Sequence, residues 1–253
     1  MEYRKVRVEG KPDYIEVVTI SDWHIGSSAC DMDLVNRVVE YIQSNDNTYA
    51  VILGDIIENG TKSSVGSGVY EQVMNPHEQI DLAIELLEPI SDKIMLAVTG
   101  NHEERAKVST SLDVMKIICD RLDIFYAGYR GVCDFSWNKN SYPIMCFHGS
   151  GGGKTMATVE RRLKEMERVT DSCMVYAMGH FHKKLVMSRD IYRVDQRNGK
   201  VRKERVHYVC TPSTMNSASY AAMKGMEPQP TGQAILRLGG RRGNKEVEVD
   251  FIE

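Results

Sequence analysis

No stretch of this sequence stays apolar for long. The longest such runs, residues 49–53 and 94–98, fall far short of the roughly 20 residues a helix needs to cross a bilayer, so no membrane span and no membrane partner are expected. An excess of one charge is also missing. With 32 basic and 35 acidic side chains the formal net charge is -3, and no global field announces a nucleic acid or a lipid surface. The six cysteines (Cys30, Cys119, Cys133, Cys146, Cys173 and Cys210) lack the paired CxxC spacing of zinc or redox sites and read as reduced, mostly buried thiols. Residues 1–9 interleave charge with single apolar residues and show neither the apolar core nor the small-residue cleavage site of a secretory signal, which makes the cytoplasm the expected location. There is no internal repeat, and no linker is rich enough to divide the chain into separate domains. What remains is an ordinary globular composition, 42% hydrophobic and 26% charged over 253 residues, expected to form one domain spanning 1–253.

The pattern of apolar residues gives an outline. Residues 15–20 are β-branched and apolar between Pro12 and Ser21-Asp22, and read as a buried strand. Leu34, Val35, Val38, Val39 and Ile42 recur at helical spacing within 31–43, and 49–53 supplies a second strand. Asn75-Pro76-His77-Glu78 is a capping signal, with Asn75 as N-cap and Glu78 reaching back. The helix it opens is expected to bury Ile80, Ala83, Ile84 and Leu87 ahead of a strand at 94–99. A further helix is expected over 112–122. Hairpins then take over: 132–137 with 142–147 around Asn138-Lys139-Asn140, and 185–195 with 201–210 around Asn198-Gly199. A helix from about 154 to 169 lies between them, and strands at 234–238 and 247–252 close the chain. The two halves are expected to share a core, as two packed sheets with helices outside.

Five short motifs stand in order, each after an apolar run: Asp22-Trp23-His24, Gly54-Asp55, Gly100-Asn101-His102, His148-Gly149 and Gly179-His180-Phe181-His182. A lone DxH or GD recurs by chance in chains of this length; GNH and GHxH are far rarer. The intervals between motifs, roughly 30 to 50 residues, each suffice for one crossover or hairpin unit. The motifs can therefore meet where ligands bind such sheets, at the carboxyl ends of the strands. On an extended chain Asp22 and His24 would point to one side, as would His180 and His182, so that each pair could address one metal ion. A carboxylate can bridge, and Asp55, central in the order, is the candidate shared ligand of two cations. Asn101 offers a neutral amide oxygen. His102 would be left to protonate a leaving oxygen or to hold a phosphoryl group. Two dications against Asp22, Asp55 and a hydroxide leave an electropositive site that suits a phosphate ester, with water as nucleophile.

These residues resemble the calcineurin-like metallophosphoesterase family, whose pattern is DxH, GDxx[DE], GNH[DE], H and GHxH, over about residues 15–185. The resemblance implies an α/β fold, a four-layer α/β/β/α sandwich of two mixed β-sheets flanked by helices. It implies that Asp22, His24, Asp55 and His182 bind one metal, that Asp55, Asn101, His148 and His180 bind the other, and that His102 is catalytic. Phosphoprotein phosphatases of that superfamily follow the second motif with an Asp-Arg-Gly. Here Glu58-Asn59-Gly60 stands in its place, so the chain looks more like the phosphodiesterase and DNA-repair nuclease branches, with a general look also similar to phage and prophage members.

The reading is therefore an enzyme that hydrolyses phosphodiester bonds through a hydroxide bridging two divalent metals, a DNA nuclease foremost. A phosphomonoesterase or small-nucleotide hydrolase is the alternative within the same chemistry, and a non-catalytic metal-bound scaffold the alternative outside it. Nitrogen and oxygen ligands without thiolate suit manganese first, with iron, zinc and nickel also in range. Arg105 and Lys107, just after the GNH motif, are candidate contacts to substrate phosphate. The partner expected is a phosphodiester, DNA included, and a homo-oligomer stays open. Gly149-Ser150-Gly151-Gly152-Gly153-Lys154-Thr155 imitates a P-loop, but the glycine required five residues before Gly153 is His148, so no ATPase is expected. Residues 61–74 and 213–232 are long enough to be lids or binding rims. The basic run after the last motif, from Lys183 to Arg205, reads as a solvated face.

Overall fold

The computed structural model describes residues 1–61, 72–153, 155–216 and 227–253. Two sheets carry the chain. The first runs β11 (Val247–Ile252), β10 (Gln233–Gly239), β2 (Tyr14–Ile20), β3 (Thr48–Ile52), β4 (Ile94–Ala97). The second runs β1 (Glu2–Arg7), β5 (Arg130–Trp137), β6 (Asn140–Phe147), β7 (Val175–Met178), β9 (Lys200–Cys210), β8 (Leu185–Asp195). Both are mixed: β2, β3 and β4 are parallel, as are β6, β7 and β9, while β10 joins β2 antiparallel and two hairpins complete the second sheet. The helices are α1 (Met32–Ser44), α2 (Pro76–Leu87), α3 (Asn101–Thr110), α4 (Val114–Leu122) and α5 (Met156–Val169).

The layering follows from which strand faces are apolar. Ile15 and Val17 of β2 point between the sheets and meet Phe135, Tyr142, Ile144, Val209 and Leu236. Val18 and Ile20, on its other face, pack beneath α1, α2 and α4 against Val35, Val38, Ala83, Leu87 and Ile118. The far face of the second sheet stacks Tyr176 on Tyr208, 5.5 Å between ring centroids, under Val159, Leu163 and Met166 of α5. The result is the α/β/β/α sandwich. Each fully buried aliphatic side chain contributes about 1.5–3 kcal/mol, so strands covered on both faces, β2 and β3 above all, make rigid platforms for whatever stands at their ends.

Local signals act as the sequence implies in several places. Asp31 caps α1 through the amide of Leu34 at 2.9 Å, and Asn75 and Glu78 form the reciprocal capping box of α2. Between β5 and β6, Asn138 and Lys139 have φ of 46° and 67°, the two-residue left-handed turn whose twist suits a hairpin. The buried stripe of α2 differs from expectation: it is Gln79, Ala83 and Leu87, with Ile80 and Ile84 half-buried. Gln79 is tolerated because its amide is satisfied, accepting from Asn59 N–H at 2.8 Å and donating to the Met74 carbonyl at 2.9 Å. Three of these elements, β1, α3 and β7, were not among those outlined from the sequence. The middle of each proposed lid, 62–71 and 217–226, and Lys154 lie outside the described residues.

Candidate metal centre

All five motifs stand just beyond the carboxyl ends of strands, after β2, β3, β4, β6 and β7. The loops approach one another backbone to backbone. A Cβ on Gly100 would strike the Asp55 carboxylate, and one on Gly179 would strike Ser21 Oγ and Asp22 Oδ2, so the glycines of GNH and GHxH make room for the neighbouring motif. The chain is not extended here. Asp22, His24, Asp55, His180 and His182 all adopt left-handed φ, between 51° and 67°, which costs about 1–2 kcal/mol for each residue bearing a Cβ. The DxH and HxH pairs thus converge through tight left-handed turns rather than by strand alternation, and the buried strands before them offset the strain. Such concentration of strain at one place marks a functional site.

Two groups of side chains result. In the first, His182 Nε2 lies 3.2 Å from Asp22 Oδ1 and 3.2 Å from His24 Nε2, which is 3.8 Å from Asp22 Oδ1. In the second, His148 Nε2 lies 3.1 Å from Asp55 Oδ2, 3.0 Å from Asn101 Oδ1 and 3.3 Å from His180 Nδ1. The other ring nitrogens are spoken for: His24 Nδ1 donates to Glu58 Oε2 at 3.0 Å, His148 Nδ1 to the Leu53 carbonyl at 2.8 Å, and His180 Nε2 to the Gly151 carbonyl at 2.7 Å. Those bonds put the lone pairs of His24 Nε2, His148 Nε2 and His180 Nδ1 on the inside, facing other acceptors. Atoms held about 2.0–2.2 Å from a common cation stand about 3 Å from each other. The spacing and the donor set fit metal ions, and the seven side chains named from the sequence supply both groups.

Without metal, protons take that role. Burial alone would push the His24 imidazole down, but hydrogen bonds to Asp22 and Glu58 hold it up at about 10; His148, equally buried, is raised to about 9 by Asp55. Asp22 is held well below the carboxylate range against its burial, chiefly by His182, and Asp55 is lowered by His148 and His102. His102 moves the other way, down to about 4, through burial and through the positive charge of His24 and Arg105, against the opposing pull of Asp55 and Glu58.

His102 and Arg105 form the rim. His102 Nδ1 donates to the Glu58 carbonyl at 2.6 Å, and its backbone N–H donates to Asp55 Oδ1 at 2.8 Å. Nε2 therefore carries the lone pair, 3.8 Å from Asp55 Oδ2 and 2.9 Å from an Arg105 guanidinium nitrogen. Lys107, two residues on along α3, faces elsewhere: it pairs with Asp113 at 3.0 Å and stands over the Tyr129 ring. Trp23, fully buried in the core beneath α1 and α2, lies under the site.

Two carboxylates complete the site, Glu58 and Glu103, the acidic positions that close GDxx[DE] and GNH[DE] and to which the sequence alone assigned no role. Glu103 is buried and accepts the amides of Asp55, Ile56 and Gly100 at 3.0, 2.7 and 3.0 Å, tying the second and third motifs together. Burial and the nearby Asp55 raise its pKa. Its signal was a glutamate three residues after Gly100, the capping-box position of α3. Glu58 orients His24. Partners of this kind typically sustain 10–100-fold of metal affinity, so Glu58→Gln, which removes the charge but keeps the shape, is expected to weaken metal binding by roughly 10–100-fold in a chelator competition while the chain stays folded. Unchanged affinity would show that Glu58 does not tune His24.

No family model matches this chain, and no curated protein does. Among solved structures it is similar to a metallophosphoesterase from Sphaerobacter thermophilus, at 12% identity and a TM-score of 0.46, covering 95% of this chain and 88% of that one. It is similar to Vps29 of Entamoeba histolytica complexed with zinc, at 11% identity and a TM-score of 0.44, covering 94% and 100%. A third similar structure is the calcineurin-like phosphoesterase YfkN of Bacillus subtilis, at 10% identity and a TM-score of 0.45, covering 94% and 91%.

Proposed function

We propose that the chain is a hydrolase of phosphodiester bonds that works with two divalent cations, with DNA as its leading substrate. The observation that carries this is the convergence of lone pairs from Asp22, His24, Asp55, Asn101, His148, His180 and His182, with His102 and Arg105 poised beside them. Asp22, His24, Asp55 and His182 would hold one cation, and Asp55, Asn101, His148 and His180 the other. Two such cations would supply a water whose pKa falls from about 15.7 toward 7, and positive charge for the phosphate oxygens. The absence of thiolates from both groups keeps manganese as the first metal to test.

The chain's own charges favour a diester. Buried Asp22, Asp55, Glu58 and Glu103 oppose the two dications, and a metal-bound hydroxide would offset the charge of Arg105, so the site is close to neutral. Such a site takes the single negative charge of a phosphodiester at less cost than the nearly two of a monoester. His102 arrives neutral, with Nε2 accepting from Arg105. A phosphate beside it would raise its proton affinity, so that Nε2 would take up a proton from solvent and pass it to the leaving oxygen while Arg105 turns to the phosphate.

With manganese present, bis-p-nitrophenyl phosphate is expected to be hydrolysed well and p-nitrophenyl phosphate poorly, and DNA to be cut in a salt-sensitive manner. The opposite ratio would make the chain a monoesterase, and silence on both a scaffold. His102→Ala is expected to lower turnover by about 10²–10⁴-fold with the metals still bound. Metal loss in that variant would make His102 a ligand instead.

A further inference from the structure

A cavity of about 190 Å³ opens beside the glycine-rich loop, between the end of β6 and α5, lined by Arg130, Phe147, Ser150, Arg162, Glu165 and Met166. Its character is that of an anion site. The Arg130 guanidinium stands over the Phe147 ring, 5.6 Å from the centroid, and forms no ion pair among the described residues. Arg162 donates from one terminal nitrogen to Glu165 at 2.9 Å, but its Nε is buried and meets no acceptor among the described residues. A buried donor left unsatisfied costs about 1–3 kcal/mol, and such a group calls for an explanation. Two guanidiniums against the single carboxylate of Glu165 leave the lining positive.

The cavity is one residue away from the metal centre. Gly151, in a left-handed conformation at φ 83°, lies against Arg162 so closely that a Cβ there would stand 2.7 Å from a terminal guanidinium nitrogen. The carbonyl of the same glycine accepts from Nε2 of His180, a member of the second ligand group. Ser150 and Phe147, which line the cavity, flank His148-Gly149 in sequence. A volume of about 190 Å³ is below the ~300–1,000 Å³ of pockets that enclose a whole small ligand. It suits a phosphate-sized oxyanion with a few waters at about 30 Å³ each.

We propose that this cavity is an oxyanion subsite that takes the phosphate adjoining the scissile one in an oligonucleotide, held by the guanidiniums of Arg130 and Arg162 and by Ser150. The choice of an oligonucleotide as the source of that phosphate rests on the diesterase reading; the affinity for the oxyanion does not. The subsite makes the chain prefer substrates with at least two consecutive phosphates, and it gives the glycine-rich run a role, since only a small residue at 151 lets the guanidinium lie so near the ligand loop.

Two measurements test it. In the first, the full chain is titrated calorimetrically with inorganic phosphate in the presence of a chelator, so that the metal centre takes no role. Phosphate is expected to bind, Arg162→Ala and Arg130→Gln each to weaken it by roughly tenfold or more, and Glu165→Gln to tighten it by freeing Arg162. A structural role for these residues would not produce that last gain. Absence of binding, or binding indifferent to all three substitutions, would overturn the subsite. In the second, the manganese-loaded chain hydrolyses dithymidine monophosphate and trithymidine diphosphate. The expected result is a kcat/KM higher by roughly tenfold for the longer substrate, with the gain lost in Arg162→Ala. Phosphate binding without any gain from length would make this a site for free phosphate and overturn the oligonucleotide assignment. Should the loaded chain cut no diester at all, the proposed function fails, and the chelated titration still decides whether the oxyanion site exists.

Discussion

Asp55→Asn is expected to remove both cations and to lower diester turnover by about 10³-fold or more, which is several kcal/mol of transition-state stabilisation. Asp22→Asn should remove only one cation. The difference lies in what each carboxylate touches. Asp22 accepts from the His180 amide and faces His24 and His182, all on the side of the first group except that backbone contact. Asp55 lies 3.1 Å from His148 in the second group and 3.8 Å from His102, whose ring stacks edge-on against His24 of the first at 4.4 Å between centroids. On the proposed function its carboxylate is the one that would serve both. Asparagine isolates the charge. It keeps an oxygen for the His102 amide, which sits 2.8 Å from Asp55 Oδ1. It also tolerates the left-handed backbone, here at φ 52°, better than other residues with a Cβ. What it changes is the second oxygen, which becomes an N–H₂ donor where a cation would sit. Metal content after dialysis checks this directly: two ions per chain for the parent, one for Asp22→Asn, none for Asp55→Asn. Two ions retained in Asp55→Asn with ordinary turnover would show that no carboxylate is shared.

How much of this could be read beforehand depended on which kind of interaction held each piece. The strands that end in the site were legible because burial on both faces leaves β2 and β3 as nearly unbroken apolar runs, and their ends coincide with the motifs. α1 was legible from its apolar stripe and Asp31 cap, and the β5–β6 hairpin from its turn residues. β1 was not, because Val6 is its one buried residue and its partner β5 lies far along the chain, so no local pattern marks it. α3 was missed for a related reason: its one buried residue is Glu103, a carboxylate holding backbone amides, and a helix without an apolar face has no period to detect. The same holds for Gln79 at a core position of α2, whereas Glu58 was marked by its motif but not its task behind His24. Residues that act by satisfying a distant amide or ring nitrogen look like ordinary polar residues until the fold brings their partners to them. The seven candidate ligands were legible as types and spacing, whereas the left-handed turns that aim them were not, since alternation along a strand gives a similar convergence on paper.

Above neutrality the stability of the metal-free chain should fall with pH while that of the loaded chain holds. His24 and His148 are raised to about 10 and about 9 in the fold from an ordinary 6.5. A group bound more tightly to its proton in the folded state stabilises fully below its unfolded pKa and loses that contribution as pH climbs through the folded one. The metal-free chain therefore loses stability from about pH 6.5 upward, through 9 to 10. His102, depressed to about 4, works the other way and costs stability as pH falls below 6.5, so the metal-free optimum lies near 6.5. Cations cancel the upper branch, because His24 and His148 must each give up a proton before their lone pairs can bind. One proton displaced at each cation means an apparent affinity that rises roughly tenfold per pH unit for each ion, about a hundredfold for the pair, between 7 and 9. Binding to the folded state alone converts that affinity into stability. Melting curves with chelator and with manganese, from pH 6 to 8.5, should thus diverge: the chelated midpoint falls, the loaded midpoint rises or holds, and the gap widens at each step. Calorimetry in buffers of different ionisation enthalpy should count about two protons released per chain at pH 7. A gap that stays constant with pH, with no proton released, would mean that His24 and His148 are already neutral in the empty site, and that hydrogen bonds to Glu58 and the Leu53 carbonyl alone set their state.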